Sequence, residues 1–167
     1  FVEYQREMGN LSYRRDRGFR WPSLDQFQAW RKKYKGKPVY SFDQKSNEGF
    51  RIPSIIRSKS RRLLAFCERR EGLHDHAKND IVLRTSDDEG MTWNDLQTLA
   101  DEGDDSLNDP RAVVLEDGRI LLHYKRYPRG YHARKSAHTE MADTGYEGPR
   151  TCRSYQMESS DEGRTWT

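Results

Sequence analysis

Ser86-Asp87-Asp88-Glu89-Gly90-Met91-Thr92-Trp93 and Ser159-Ser160-Asp161-Glu162-Gly163-Arg164-Thr165-Trp166 share one pattern, Ser-x-Asp-x-Gly-x-Thr-Trp, and its reading decides the fold. In such an octapeptide the Ser and Asp side chains satisfy backbone donors inside a tight turn, Gly accepts a positive φ, and Trp packs beneath the hairpin. The motif's task is structural. A single copy carries little weight, but two copies, each following strand-like runs, indicate a repeat architecture.

Working outward from these turns, short apolar runs lie at 52–56, 63–67 and 81–83, then at 112–115, 120–123 and 154–157. They are punctuated by turn chemistry such as Glu116-Asp117-Gly118 and show no helical periodicity. The spacing predicts an all-β region over 46–167 with antiparallel connections. The two octapeptides are further apart than a bare four-stranded unit of roughly 40 to 50 residues requires. The polar stretch 125–151 accounts for the excess. Units of this kind fill a β-propeller radially. Residues 1–45 form an N-terminal extension with a helix expected over 24–34, capped by Ser23 after Pro22 and stopped by Gly36 and Pro38.

Composition narrows the function classes. Charged residues make up 34% and hydrophobic ones 33%, a mixture that reads either as a weak core or as a piece whose core more chain would complete. Thirty basic and 27 acidic residues leave a net charge of +3, which lacks the one-sided electrostatics of a dedicated nucleic-acid binder. The basic clusters, Arg61-Arg62 among them, read as solvated faces. No apolar run approaches a membrane span. Cys67 and Cys152 fall in strands of different repeats, so no disulfide is expected, and two thiolates are too few for a metal site.

Phe50-Arg51-Ile52-Pro53 resembles the Phe/Tyr-Arg-Ile-Pro signature of the sialidases, whose Asp-box turns the two octapeptides also resemble. The resemblance covers about 48–167. It implies a sialidase-like β-propeller, six-bladed in the complete protein, with about two blades present here. It also implies a sialylated glycan as substrate and an arginine, here Arg51, that grips the sugar's carboxylate. The chemistry is sound on its own terms, because a guanidinium stays charged and matches a carboxylate bidentately.

Leu63-Leu64-Ala65-Phe66-Cys67-Glu68-Arg69-Arg70 is similar to the family strand ending in Glu-x-Arg, which assigns Arg70 to the sugar pocket, with Arg69 as the competitor. Asp75, ahead of the run Ile81-Val82-Leu83-Arg84, matches the family's general acid/base, with Asp80 as the fallback. His74, Asp75, His76 and Asp80 also compose a metal-ligand reading, but successive residues of an extended strand alternate faces, and no metal or cofactor is expected. Asn108-Asp109-Pro110 resembles the entrance of the next inner strand and is given no catalytic role. His132, His138 and Glu140 are candidates for a pocket rim. The resemblance also implies a retaining reaction with a tyrosine nucleophile, for which none of the nine tyrosines stands in a matching context. The alternative function is a non-catalytic sugar-binding propeller or a glycosidase acting on another acidic sugar.

Overall fold

The computed structural model describes residues 38–41, 48–72 and 74–167. The helix expected over 24–34 lies outside them. Nine strands and no helix occur among the described residues. Strands β1 (Glu48–Arg57), β2 (Leu63–Glu71), β3 (Asn79–Ser86) and β4 (Gln97–Ala100) pair in order, each antiparallel to the next, as a first blade. Strands β5 (Ser106–Val114), β6 (Ile120–Tyr127) and β9 (Arg153–Ser159) form an antiparallel second set. Between β6 and β9 the chain makes an excursion containing β7 (Tyr131–His132) and β8 (Glu140–Met141), a short parallel pair.

The blades are stitched together by one parallel bridge, Asn79 to Ser106. The sequence predicted antiparallel connections throughout, and this junction departs from that. Strand β4 was missed because only Leu99 and Ala100 in it are even partly buried. Strand β5 begins at Ser106, well before the run at 112–115, because its first half is polar and buried. Cys152 stands just ahead of β9, and both cysteines are free.

Burial explains why these elements stay together. Leu64, Phe66, Ile81 and Leu83 of the first blade meet Leu107, Ile120, Leu122 and Tyr124 of the second in one core. Trp166, from the second Asp-box turn, sets its ring edge-on to Phe66 at 5.7 Å, an arrangement that contributes about 0.5 to 1.5 kcal/mol beyond area burial. Gly163 of that turn has φ +82 and lies against Leu64, so a side chain there would be strained and would collide with the first blade.

The two Asp-box turns share one set of hydrogen bonds among Ser, Asp, Gly and Thr. Ser86 Oγ donates to Asp88 Oδ1 and accepts from Gly90 N–H, both at 2.8 Å, while Asp88 accepts from Thr92 N–H and Oγ. Ser159, Asp161, Gly163 and Thr165 repeat this set. In each turn the Glu before the Gly also has positive φ, +60 at Glu89 and +61 at Glu162.

A second internal repeat lies in the inner strands. Pairing in β1 jumps from Arg51–Glu68 to Ser54–Phe66, and in β5 from Asn108–Lys125 to Arg111–His123. Each bulge is an X-Pro step whose first residue has positive φ: Ile52 at +54 before Pro53, and Asp109 at +58 before Pro110. Proline has no N–H to leave unpaired, which suits it to a bulge. A β-branched residue at positive φ costs on the order of 1 to 3 kcal/mol and persists only where the surroundings enforce it. Bulges of this kind re-aim the side chains beside them.

Candidate active site

Arg51, Arg70 and Asp75 come together at one end of the first blade. Arg51 leaves β1 just before its bulge, Arg70 leaves the end of β2, and Asp75 sits in the turn between β2 and β3. Asp75 Oδ1 accepts from Arg70 Nη1 at 2.6 Å and from Arg51 Nη1 at 3.2 Å. The three differ in setting: the Arg70 side chain is 1% exposed, against 48% for Arg51 and 59% for Asp75. The Arg70 hydrogen bond, helped by the charge of Arg51, holds the Asp75 carboxyl below the usual aspartate range against the opposing effect of burial.

Strand parity separates the competing residues. Glu68 and Arg70 are two apart and share a face of β2, whereas Arg69 points to the other. There Arg69 meets Asp80, its cross-strand partner, with Nη2 at 2.5 Å and Nε at 3.2 Å from Asp80 Oδ2. The two fallback residues therefore pair with each other, and neither joins the Asp75 cluster. Arg62, expected on a solvated face, is instead mostly buried, donating to Thr85 Oγ1 at 2.9 Å and pairing with Asp87.

Glu68 is a residue the sequence reading missed. It is fully buried, and its Oε2 accepts from Arg70 Nε at 2.7 Å while its Oε1 accepts from the Asp109 N–H at 2.7 Å. Burial pushes the Glu68 carboxyl up, and these two donors oppose the shift. The positive φ at Asp109 thus coincides with a backbone donor aimed at the first blade. The Asp109 side chain pairs with Lys125 at 3.1 Å. The signal for Glu68 was its spacing of two from Arg70 on a strand.

Asn79, Ser106 and Asn108 were likewise not assigned to the site, yet all three reach the Asp75 backbone carbonyl. Asn79 Nδ2 donates to it at 3.0 Å, Asn108 Nδ2 donates at 3.1 Å, and Ser106 Oγ lies 3.0 Å away. All are buried, and because they stand among polar neighbours in the sequence nothing local announced it.

Around Asp75 stand histidines. His76 stacks on His74 at 5.3 Å and on His138 at 5.5 Å between ring centres, so the excursion between β6 and β9 contributes to the rim. His132 packs on Tyr127 at 4.4 Å. Burial and neighbouring imidazoles lower the pKa of His76, and burial lowers that of His132. Glu140, the remaining rim candidate, pairs instead with Lys135 at 2.9 Å. Among the described residues no group of three or more His, Cys, Asp or Glu is arranged to hold a metal ion, and no helix is long and apolar enough to cross a membrane.

Comparison with known proteins bears on this arrangement. No family model matches the chain. An exo-alpha-sialidase of Aspergillus fumigatus is 27% identical over 159 residues, covering 87% of this chain and 39% of the relative. An exo-alpha-sialidase of Arthroderma benhamiae is 28% identical over 132 residues, covering 71% of this chain and 31% of the relative. The chain thus spans well under half the length of either. Among solved structures, the NanB sialidase of Streptococcus pneumoniae superposes with a TM-score of 0.62 at 15% identity, over 79% of this chain and 37% of that one. The intramolecular trans-sialidase of Ruminococcus gnavus superposes with a TM-score of 0.60 at 16% identity, over 78% of this chain and 50% of that one. In sequence the chain resembles the exo-alpha-sialidases, and its all-β architecture is that of a portion of a sialidase-like β-propeller.

Proposed function

We propose that this chain furnishes the carboxylate-binding and acid/base side of an exo-α-sialidase site acting on sialylated glycans with retention of configuration. Arg51 and Arg70 bind the carboxylate on the sugar's anomeric carbon, and Asp75 exchanges the proton with the glycosidic oxygen. The observation that carries this reading is the convergence of both guanidiniums on one Asp75 oxygen from two strands and a turn. A half-exposed cation and a buried one meeting at an exposed carboxylate are the groups that an anionic glycoside needs.

Asp75 is held as the carboxylate in the free protein, whereas a general acid begins protonated. Substrate binding resolves this. The incoming sugar carboxylate competes with Asp75 for the same guanidiniums. Drawn off them and set beside a new negative charge, Asp75 gains proton affinity. As the bond from the anomeric carbon to the leaving oxygen breaks, its electron pair stays on that oxygen and the Asp75 proton follows. The nucleophile bonds to the anomeric carbon as the leaving oxygen departs; in the return step that bond breaks with its electron pair going back to the nucleophile, a water oxygen bonds to the carbon, and a water proton passes to Asp75. The nucleophile is not assigned to any residue described here, and the scheme calls for no cofactor.

The test is turnover by the protein expressed from its complete reading frame. Replacement Asp75→Ala should lower the rate on a sialoside with a sugar leaving group by about 100-fold or more, the usual contribution of a positioned general acid. Sialic acid binding should persist. Unchanged turnover on that substrate would remove Asp75 from the role.

A further inference from the structure

The Asp75 turn is exposed, yet its backbone is gripped from beneath. Asn79 Nδ2 donates both to the Asp75 carbonyl at 3.0 Å and to Ser106 Oγ at 2.9 Å. Ser106 Oγ, with one proton, faces the Asp75 carbonyl at 3.0 Å and Asn108 Oδ1 at 2.9 Å. Asn108 Nδ2 completes the set at 3.1 Å from the same carbonyl. A carbonyl oxygen has two lone pairs, so three donors around it saturate its capacity.

Two features separate this cluster from ordinary packing. Asn79 is fully buried and its Oδ1 has no hydrogen-bond partner, so its amide is oriented for the Asp75 carbonyl while its own acceptor goes unsatisfied. A buried acceptor left without a donor is costly, so something must hold the amide in this orientation. Ser106 and Asn108 belong to β5, and Asn79 and Ser106 are the residues of the parallel bridge that joins the blades. The second blade therefore reaches across the junction to hold the backbone of a residue in the first.

We propose that Asn79, Ser106 and Asn108 form a clasp that positions Asp75 for proton transfer, making Ser106 and Asn108 positioning residues supplied by the second blade. This rests on the assignment of Asp75 as acid/base. A carboxyl on an exposed turn sweeps a wide arc, whereas proton transfer needs it within hydrogen-bond reach of one oxygen. Fixing the carbonyl of the same residue restricts that arc without engaging either carboxylate oxygen. Arg51 and Arg70 leave from β1 and β2, whereas the side-chain hydrogen bonds of Ser106 and Asn108 run to the Asp75 carbonyl, to each other and, at Ser106, to Asn79; Asn79, which stands opposite Arg70 in the β2–β3 register, is left unaltered in the test. Sugar binding should therefore be spared.

The test exploits leaving-group chemistry. Protonation matters most for a basic leaving oxygen such as a sugar hydroxyl, and least for nitrophenolate. In the protein from the complete reading frame, Ser106→Ala and Asn108→Ala should lower kcat on sialyl-lactose by about 10- to 100-fold, part of a full general-acid contribution. On 4-nitrophenyl sialoside the loss should stay within a few-fold, with KM and free sialic acid affinity little changed. Ser106→Thr, which keeps the hydroxyl, should restore the ratio of the two rates. Ser106→Ala removes a single atom and guards against misfolding of the larger change, with thermal unfolding measured on each variant. Equal losses on both substrates, or none, in a folded variant would overturn the clasp. Asp75→Ala run in parallel separates the two assignments. Leaving-group dependence there but not in the clasp variants sinks the clasp alone, and its absence from Asp75→Ala sinks the acid/base role and the clasp with it.

Discussion

Arg70 Nη1 donates to Asp75 Oδ1 across 2.6 Å, joining a side chain that is 1% exposed to one that is mostly in solvent. One partner is held in the interior and the other faces solvent. Under the proposed function, that asymmetry would let another carboxylate take the place of Asp75 on Arg70.

The Asp75 carboxyl should titrate below the ordinary aspartate value of 3.8 in the free protein, and above its free-protein value when sialic acid is bound. The depressed value means that the pair's contribution to stability is present above the unfolded pKa and is lost as pH falls through the folded one. Carbon-detected NMR of the carboxyl, with and without saturating sugar, measures both. A ligand-independent pKa would rule out exchange of partners on Arg70.

Glu68→Ala should destabilise the fold by about 3 to 5 kcal/mol, because it strips Arg70 of its buried counterion. It also leaves the Asp109 N–H without the acceptor that the structure gives it. Glu68→Gln retains an acceptor for that N–H and should cost less. Denaturant unfolding of the two variants orders them, and a cost below 1 kcal/mol for Glu68→Ala would contradict the role of the pair.

The stacked imidazoles should come apart in acid. His76 is shifted below 6.5 by burial and by its neighbours His74 and His138, with Asp75 opposing. A depressed histidine pKa means that the unfolded chain binds more protons, so stability falls as pH drops from the unfolded value through the folded one. Removing one neighbouring imidazole by His138→Ala should raise the His76 pKa. Proton NMR titration of the ring resonances reads this directly, and a downward or absent shift would mean that the stack does not persist in solution.

Gly163→Ala should lower the unfolding temperature more than Gly90→Ala. Both positions have positive φ, +82 and +91, so both substitutions are strained. At Gly90 the nearest atom to an added Cβ is Leu63 Cδ1 at 3.5 Å, an ordinary contact, whereas at Gly163 it would overlap Leu64 of the other blade. Equal effects in differential scanning calorimetry would mean that Leu64 moves aside at no cost.

The turns and most of the strands were legible in the sequence because their determinants are local. Ser86, Asp88, Gly90 and Thr92 bond one another within a few residues, and the same side chains recur from Ser159 to Thr165, so the pattern and the hydrogen bonds are one fact. Short apolar runs likewise announce strands, β2 and β3 being buried almost without a break. The bulges at Ile52 and Asp109 were not visible, since a positive φ before proline follows from register with β2 and β6. The choice of Arg70 over Arg69, and of Asp75 over Asp80, came first from family resemblance. The tertiary structure shows why the others stand apart, because sheet register sets Arg69 opposite Asp80 and strand parity turns both away from Arg51. The bond from the Asp109 N–H to Glu68 and the clasp around the Asp75 carbonyl belong to that second level. They depend on contacts across the blade junction, which no local pattern encodes and only the folded register of β2, β3 and β5 creates.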